Sequence, residues 1–240
     1  MKTVFITGSG RRIGRGLALK FAELGWNVGL HYFQSQEMAE RTHAEVLSFG
    51  VKSSIVRFDV KNYGDFRLGM QKSIDEVEVP DVLINNSGIF PKAKTLMELS
   101  VEDWNSAMNT NMRSAFFSAK IFAEFARDNS KIINIASIGG LEIWKNRIPY
   151  NVSKAGLIQL TKALARELAP KIAVNAICPG TIVIPNEQAA DSSEINVARI
   201  PMNRYGNIDD IFDAVKFFAE CSQFITGQIL NVDGGYHLVR

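Results

Sequence analysis

A parallel α/β sheet covered by helices on both faces is the fold class this sequence predicts, and three observations carry the prediction. Seven short, β-branched, nearly continuous apolar runs occur along the 240 residues. Segments of helical period separate them. No polar linker or internal repeat interrupts the alternation. Strands apolar on both sides need cover on both sides, and a crossover to a parallel strand has to return over one face, so the pattern implies a seven-stranded parallel sheet. One domain, residues 1–240, is expected, since α/β units longer than the usual figure of roughly 150 residues per domain often stay single.

The strands are predicted at Thr3 to Thr7, Asn27 to Tyr32, Ser54 to Phe58, Val82 to Asn85, Lys131 to Ala136, Ala173 to Ile177 and Gln228 to Val232. Between the first two, Ile13, Leu17, Phe21 and Leu24 fall on one helix face and Gly25 is a C-terminal stop, so the first unit reads as βαβ. Ser100 and Asp103 have capping-box spacing at the head of a long helical stretch containing Ala107, Ala115, Phe116 and Phe117. Leu157, Leu160, Leu164 and Leu168 mark another helix, closed off before Pro170. Residues 181–207 carry the weakest pattern, punctuated by Pro185, Asn186, Asp191, Ser192 and Ser193, and read as a substrate loop or lid. Phe217 and Phe218 read as core.

Composition narrows the function classes. With 46% hydrophobic and 22% charged residues the chain can bury a core and is not a disordered segment. A net charge of +2 provides no field for nucleic acid, so no nucleic-acid partner is expected. No uncharged apolar run approaches the roughly 18 residues of a spanning helix, so no membrane partner is expected. Cys178 and Cys221 give no disulfide framework, and the N-terminus runs into a strand without a secretory pattern; a reducing, cytoplasmic location is expected. His31, His43 and His237 lack metal-ligand spacing, so no metal is expected. Neither a GxSxG elbow nor a GxxxxGK loop occurs, which argues against hydrolases and P-loop nucleotidases.

Chemistry concentrates in two places. After the first strand comes Thr7-Gly8-Ser9-Gly10-Arg11-Arg12-Ile13-Gly14, leading directly into a helix. Glycines let backbone approach a pyrophosphate, and a helix N-terminus offers free N–H groups, so Gly8, Ser9, Arg11, Arg12, Ile13 and Gly14 are candidate cofactor contacts. The spacing is not the strict GxGxxG form, and an ordinary glycine-rich turn would look similar. After Tyr32 no carboxylate appears until Glu37, although NAD-binding chains usually hold the ribose hydroxyls with one near there. NADP is therefore favoured, with Arg11, Arg12 and the Ser35 hydroxyl as candidates for its 2′-phosphate and Tyr32 beside them, though paired arginines at a turn also occur as plain solvated surface.

The second place is Tyr150-Asn151-Val152-Ser153-Lys154, with Ser137 thirteen residues upstream at a strand end. Residues four apart share a helix face, so the Lys154 ammonium is expected beside the Tyr150 phenol, lowering its pKa from about 10 toward useful acid/base range. Ser137 is placed to bond the same substrate oxygen. Chance produces an isolated YxxxK often; chance is a poor explanation of all three features together. Trp144 and Ile143 either line a pocket or merely pack, and Met202 with Tyr205 lie across the expected lid.

With these residues the chain resembles the short-chain dehydrogenase/reductase family over essentially its whole length. The landmarks are the Thr7 to Gly14 turn, Asp59-Val60, Asn85-Asn86-Ser87-Gly88, Asn111, Ser137, Tyr150, Lys154, Pro179-Gly180 and Val232-Asp233-Gly234-Gly235. The resemblance implies a single-domain Rossmann fold with Tyr150 as general acid/base, Lys154 on the nicotinamide ribose, and Ser137 on the carbonyl. It implies that Asn111 holds a helix kink and a water leading to Lys154. It further implies Asp59 and Val60 at the adenine, Asn86, Ser87 and Gly88 on the cofactor floor, and Pro179 and Gly180 flanking the nicotinamide. The implied activity is NADPH-dependent carbonyl reduction of a small-molecule substrate by a homotetramer. Its subunits would pack through the Ser100 to Asp128 and Tyr150 to Ala169 helices, with the tail from Tyr236 to Arg240 reaching a neighbour.

Arg12 stands where the family turn usually has glycine; with Leu30-His31-Tyr32 and the ending Asp233 to Leu238 it is similar to the pteridine-reductase branch, which implies C=N reduction as an alternative. Ser137 matches the ordinary carbonyl reductases, including the 3-oxoacyl-carrier-protein reductases, rather than the aspartate typical of that branch. A catalytically silent dinucleotide-binding regulator on the same fold is the rival from another class.

Overall fold

All seven predicted strands form, within one or two residues of their expected ends, in a computed structural model that describes residues 1–185 and 196–238. They are β1 (Thr3–Ile6), β2 (Asn27–Tyr32), β3 (Ser53–Arg57), β4 (Val82–Asn85), β5 (Ser130–Ile135), β6 (Ile172–Pro179) and β7 (Ile229–Val232). Every pairing is parallel, in the order β3-β2-β1-β4-β5-β6-β7. The helices are α1 (Arg12–Glu23), α2 (Gln36–Ser48), α3 (Tyr63–Val77), α4 (Val101–Met108), α5 (Ser114–Phe125), α6 (Ile148–Glu167) and α7 (Ile208–Glu220). None of them is long and apolar enough to cross a membrane. Residues 186–195 of the expected lid lie outside the described residues.

Both faces of the sheet are dry, which explains the unbroken apolar strands. Side chains alternate along a strand, so Val4 and Ile6 pack on one side with Leu17, Phe21, Ile211 and Val215, while Phe5 between them packs on the other with Phe66, Met70 and Phe122. Two apolar assignments fail. Leu24 caps α1 one residue beyond its periodic face and is exposed. Phe217 is 51% exposed, whereas Phe218 keeps the spacing of Ile211, Ala214 and Val215 on α7 and is buried. The long helix expected from Ser100 does begin with a capping box, but it is divided by a wider π turn at Asn109–Arg113.

A polar thread crosses this core. Asn85 and Asn134 are register partners on β4 and β5. Ser118 on α5 donates to Asn85 Oδ1 at 2.6 Å, Asn85 donates to Asn134 Oδ1 at 2.8 Å, and Asn134 donates to Thr161 Oγ1 on α6 at 2.9 Å. The thread ties the two helices that flank the site to the strands between them. Replacing Asn134 by Ala strands the Asn85 amide in a dry interior, and we expect a loss of about 2–4 kcal/mol, read from urea unfolding midpoints.

Candidate active site

Strand order reverses between β1 and β4, and the crevice beyond their carboxyl ends is where an open parallel sheet binds ligands. The turn after β1 meets the segment after β4 there. Thr7 Oγ1 accepts from the backbone N–H groups of Asn86 and Ser87, both at 3.0 Å, and Asn86 Nδ2 donates to the carbonyls of Thr7 and Gly8, also at 3.0 Å. Asn86 therefore spends its amide on holding the turn. Gly14 shows why the sequence needs a bare backbone: an added Cβ would stand 2.3 Å from the Gly8 carbonyl oxygen and 2.5 Å from Asn86 Nδ2.

His31 is the residue whose role the sequence did not reveal. It is buried at the end of β2; Gly8 N–H donates to its Nδ1 at 3.0 Å, and its Nε2 lies 3.0 Å from the Phe58 carbonyl oxygen. An amide can only donate and a carbonyl only accept, so the ring is neutral with its proton on Nε2. Burial drives the imidazole from its ordinary 6.5 down to about 4, against the opposing pull of the Phe58 carbonyl and Asp59. Ser9 is turned inward on the same strand: its N–H and hydroxyl bond the His31 carbonyl, and the hydroxyl accepts from the His31 N–H at 2.9 Å. The anion-facing groups of the turn are thus the N–H groups at the head of α1, where the first turn holds no acidic side chain.

Arg12 adopts φ 53°, the left-handed backbone that glycine takes without strain. Arg11, beside it, is exposed, and Ser35 precedes α2 without capping it. Tyr32 is half-buried nearby. The Asp59 carboxylate accepts from the Lys61 N–H and pairs with the Lys61 ammonium at 3.3 Å. Val60 sends its side chain into the core beside Phe58, leaving backbone for any adenine contact. At the far end, Gly180 N–H donates to the Val232 carbonyl, joining Pro179-Gly180 to β7.

The catalytic candidates converge from three elements. Ser137 follows β5; its hydroxyl accepts the Gly139 N–H at 3.0 Å, and its interaction with the Tyr150 phenol draws the pKa of that group down. Asn111 sits in the π turn; its side chain accepts from Ile89 N–H at 2.7 Å and donates to the Ile89 carbonyl and to Ser153. Gly88 lies beside both Asn111 and Lys154: a Cβ there would stand 3.3 Å from Asn111 Oδ1 and 3.6 Å from Lys154 Nζ.

One expected interaction differs. Lys154 donates to the Ile135 carbonyl at 2.8 Å, and burial lowers its pKa to about 8. The Tyr150 phenol lies above its ordinary value: burial raises it, and the Ser137 bond and the Arg147 charge only partly offset this. The physical reason is that an i, i+4 spacing sets the shared face, while a free carbonyl at the end of β5 competes for the ammonium. Cys178, under the site, is likewise pushed up by burial, to about 11, and stays a thiol.

Aromatic rings enclose Tyr150. Trp144 stacks on it at 5.9 Å between centroids and Phe90 meets it perpendicularly at 4.6 Å. Ile143 projects into solvent, 92% exposed. Tyr205 and Trp144 each pack against the buried cluster that contains Ile200, while Met202 borders a cavity shared with Thr181, Arg204 and Asp233. The tail does not reach outward at Tyr236 and His237. Tyr236 is buried in the same core, and His237 Nδ1 lies 2.7 Å from Glu142 Oε1, because the Asp233 carboxylate bonds the His237 N–H and turns the chain back.

Sequence and structure comparisons agree with this fold. The enoyl-(acyl carrier protein) reductase family profile matches residues 8–237. A 3-oxoacyl-[acyl-carrier-protein] reductase of Staphylococcus epidermidis is 35% identical over 243 aligned positions covering 99% of each chain. A short-chain dehydrogenase/reductase from Serratia marcescens superposes with a TM-score of 0.91 at 28% identity, over 98% of this chain and 97% of that one. A blue fluorescent protein from a metagenomic library, in complex with NADPH, superposes with a TM-score of 0.91 at 30% identity over the same shares.

Proposed function

Because the chain belongs to the short-chain dehydrogenase/reductase family of oxidoreductases, we propose that it reduces a carbonyl group of a small organic substrate with NADPH, Tyr150 acting as general acid. The observation that carries this reading is the meeting of Ser137, at the end of β5, with Tyr150 on α6, which also carries the buried Lys154, at the carboxyl end of a sheet whose first helix presents an anion-ready head. The residues fit a nicotinamide dinucleotide: Gly14 lets the turn after β1 pack closely on the head of α1, and no acidic side chain stands in the first turn of that helix. When bound, NADPH supplies hydride to the carbonyl carbon. Tyr150 holds the proton that the carbonyl oxygen takes up, and Ser137 steadies that oxygen as charge develops. Lys154, with a pKa of about 8, stands behind the tyrosine as the route for its reprotonation, in line with Asn111. The reading extends to a cytoplasmic homotetramer, supported by exposed Trp104 on α4, Phe116 on α5 and Val152 on α6.

The second reading, reduction of a C=N bond in a pteridine-like ring, is favoured by Phe90 and Trp144 around Tyr150, which suit a flat substrate. NADPH consumption with ketones, 3-oxoacyl thioesters and quinonoid pterins tests both. Turnover of ketones or thioesters supports the first; turnover of pterins alone replaces it with the second. NADPH binding without turnover of any of them would make the chain a silent dinucleotide binder.

The NADP preference rests on Arg12 and has its own test. Arg12→Gly is expected to weaken NADPH binding roughly 10- to 100-fold, the worth of a charge-assisted phosphate contact, with NADH binding unchanged. Thermal stability should hold or rise, because glycine takes φ 53° without strain. Equal NADPH affinity in both proteins would remove Arg12 from the 2′-phosphate site.

A further inference from the structure

Arg147 was not among the residues the sequence singled out, yet it is buried to 3% exposure immediately before α6, three residues ahead of Tyr150. Its Nη1 donates to the Pro91 carbonyl, and its guanidinium carbon lies 4.1 Å from the centroid of the Phe90 ring. The adjoining residue helps, since Lys94 N–H donates to the Asn146 carbonyl at 3.0 Å. On the other flank Asn111 binds both backbone groups of Ile89. Phe90 is therefore anchored one residue before and one residue after, and its ring meets the Tyr150 ring at 89°.

We propose that Arg147 is a positioning residue for the reduction: its guanidinium clamps the Phe90–Pro91 segment so that the Phe90 ring fixes the orientation of Tyr150. The inference rests on the reductase reading for its consequence but not for its geometry. A cation over an aromatic face and a charge-assisted bond to a carbonyl are each directional, so together they set both the place and the tilt of Phe90. The Arg147 bond joins Pro91 to the head of the active-site helix. A tyrosine that has to reach a substrate oxygen within hydrogen-bonding distance gains from a wall that stops its ring from swinging.

The test uses the full-length protein with Arg147→Met, which keeps apolar length but neither charge nor donors, and Arg147→Lys, which restores the charge. Hydrogen–deuterium exchange is read for residues 88–94, and kcat and KM are read for NADPH and substrate. In Arg147→Met we expect exchange in 88–94 to quicken roughly tenfold while β1 and β4 stay protected. We expect kcat to fall roughly 10- to 100-fold with KM for NADPH nearly unchanged, and Arg147→Lys to recover part of kcat. Unchanged exchange in 88–94 overturns the clamp; quickened exchange with unchanged kcat overturns its role in positioning. A wild-type protein that shows the exchange contrast but reduces no substrate leaves the clamp standing and removes the reductase reading instead.

Discussion

Replacing Tyr150 by Phe is expected to cut carbonyl reduction by roughly two to four orders of magnitude, the usual worth of a positioned general acid, while NADPH binds as before. The substitution removes one oxygen and keeps the ring, so the packing against Phe90 and Trp144 survives and the loss reports on the proton alone. Two features of the site make the effect large. The phenol lies above its ordinary pKa, so it is protonated throughout the neutral range and ready to donate. Ser137, the other group proposed to reach the substrate oxygen, is an alcohol already engaged with the Gly139 N–H, and by itself it is too weak an acid to take over. Stopped-flow fluorescence of NADPH gives the affinity and steady-state absorbance gives kcat. Turnover within tenfold of the wild type would remove Tyr150 from the chemistry and shift attention to Lys154.

What the sequence revealed and what it hid divide along one physical line. Strand positions were legible because an apolar run buried on both faces, such as Thr3 to Ile6 or Val82 to Asn85, needs no knowledge of its neighbours. The spacing of Tyr150 and Lys154 was legible because a helix converts sequence separation into a shared face. The acceptor that takes the Lys154 ammonium was not legible, since it is a backbone carbonyl of Ile135, supplied by another element and indistinguishable in sequence from any other carbonyl. Phe217 and Phe218 show the same limit on a smaller scale: adjacent aromatics on a helix point about 100° apart, and only the third dimension says which one meets the sheet. Arg147 and His31 were hidden for the same reason as the lysine's acceptor. Their partners include the Pro91 carbonyl, the Gly8 amide and the Phe58 carbonyl, backbone groups that the sequence does not distinguish from any others.

His31 yields an effect on the fold itself as large as that expected at Asn134. His31→Leu leaves the Gly8 N–H and the Phe58 carbonyl without their imidazole partner, and at the cost of an unmet buried polar group we expect a loss of about 2–4 kcal/mol at neutral pH. The pH dependence runs in a fixed direction. The folded protein holds the ring at about 4 and the unfolded chain at the ordinary 6.5, so between those values the unfolded state binds the extra proton. The stabilisation is complete above 6.5 and is lost as pH falls toward about 4, amounting to about 2 kcal/mol at pH 5 and roughly 3 kcal/mol over the whole window. Protonation in the folded protein also removes the lone pair that accepts the Gly8 N–H, so the cofactor turn should loosen, and NADPH affinity fall with it, only as pH drops to about 4. Urea midpoints at pH 7 and pH 5, for the wild type and His31→Leu, separate this group from the carboxylates, whose contribution is common to both proteins. An equal drop in the two would mean that the imidazole titrates as freely in the fold as outside it.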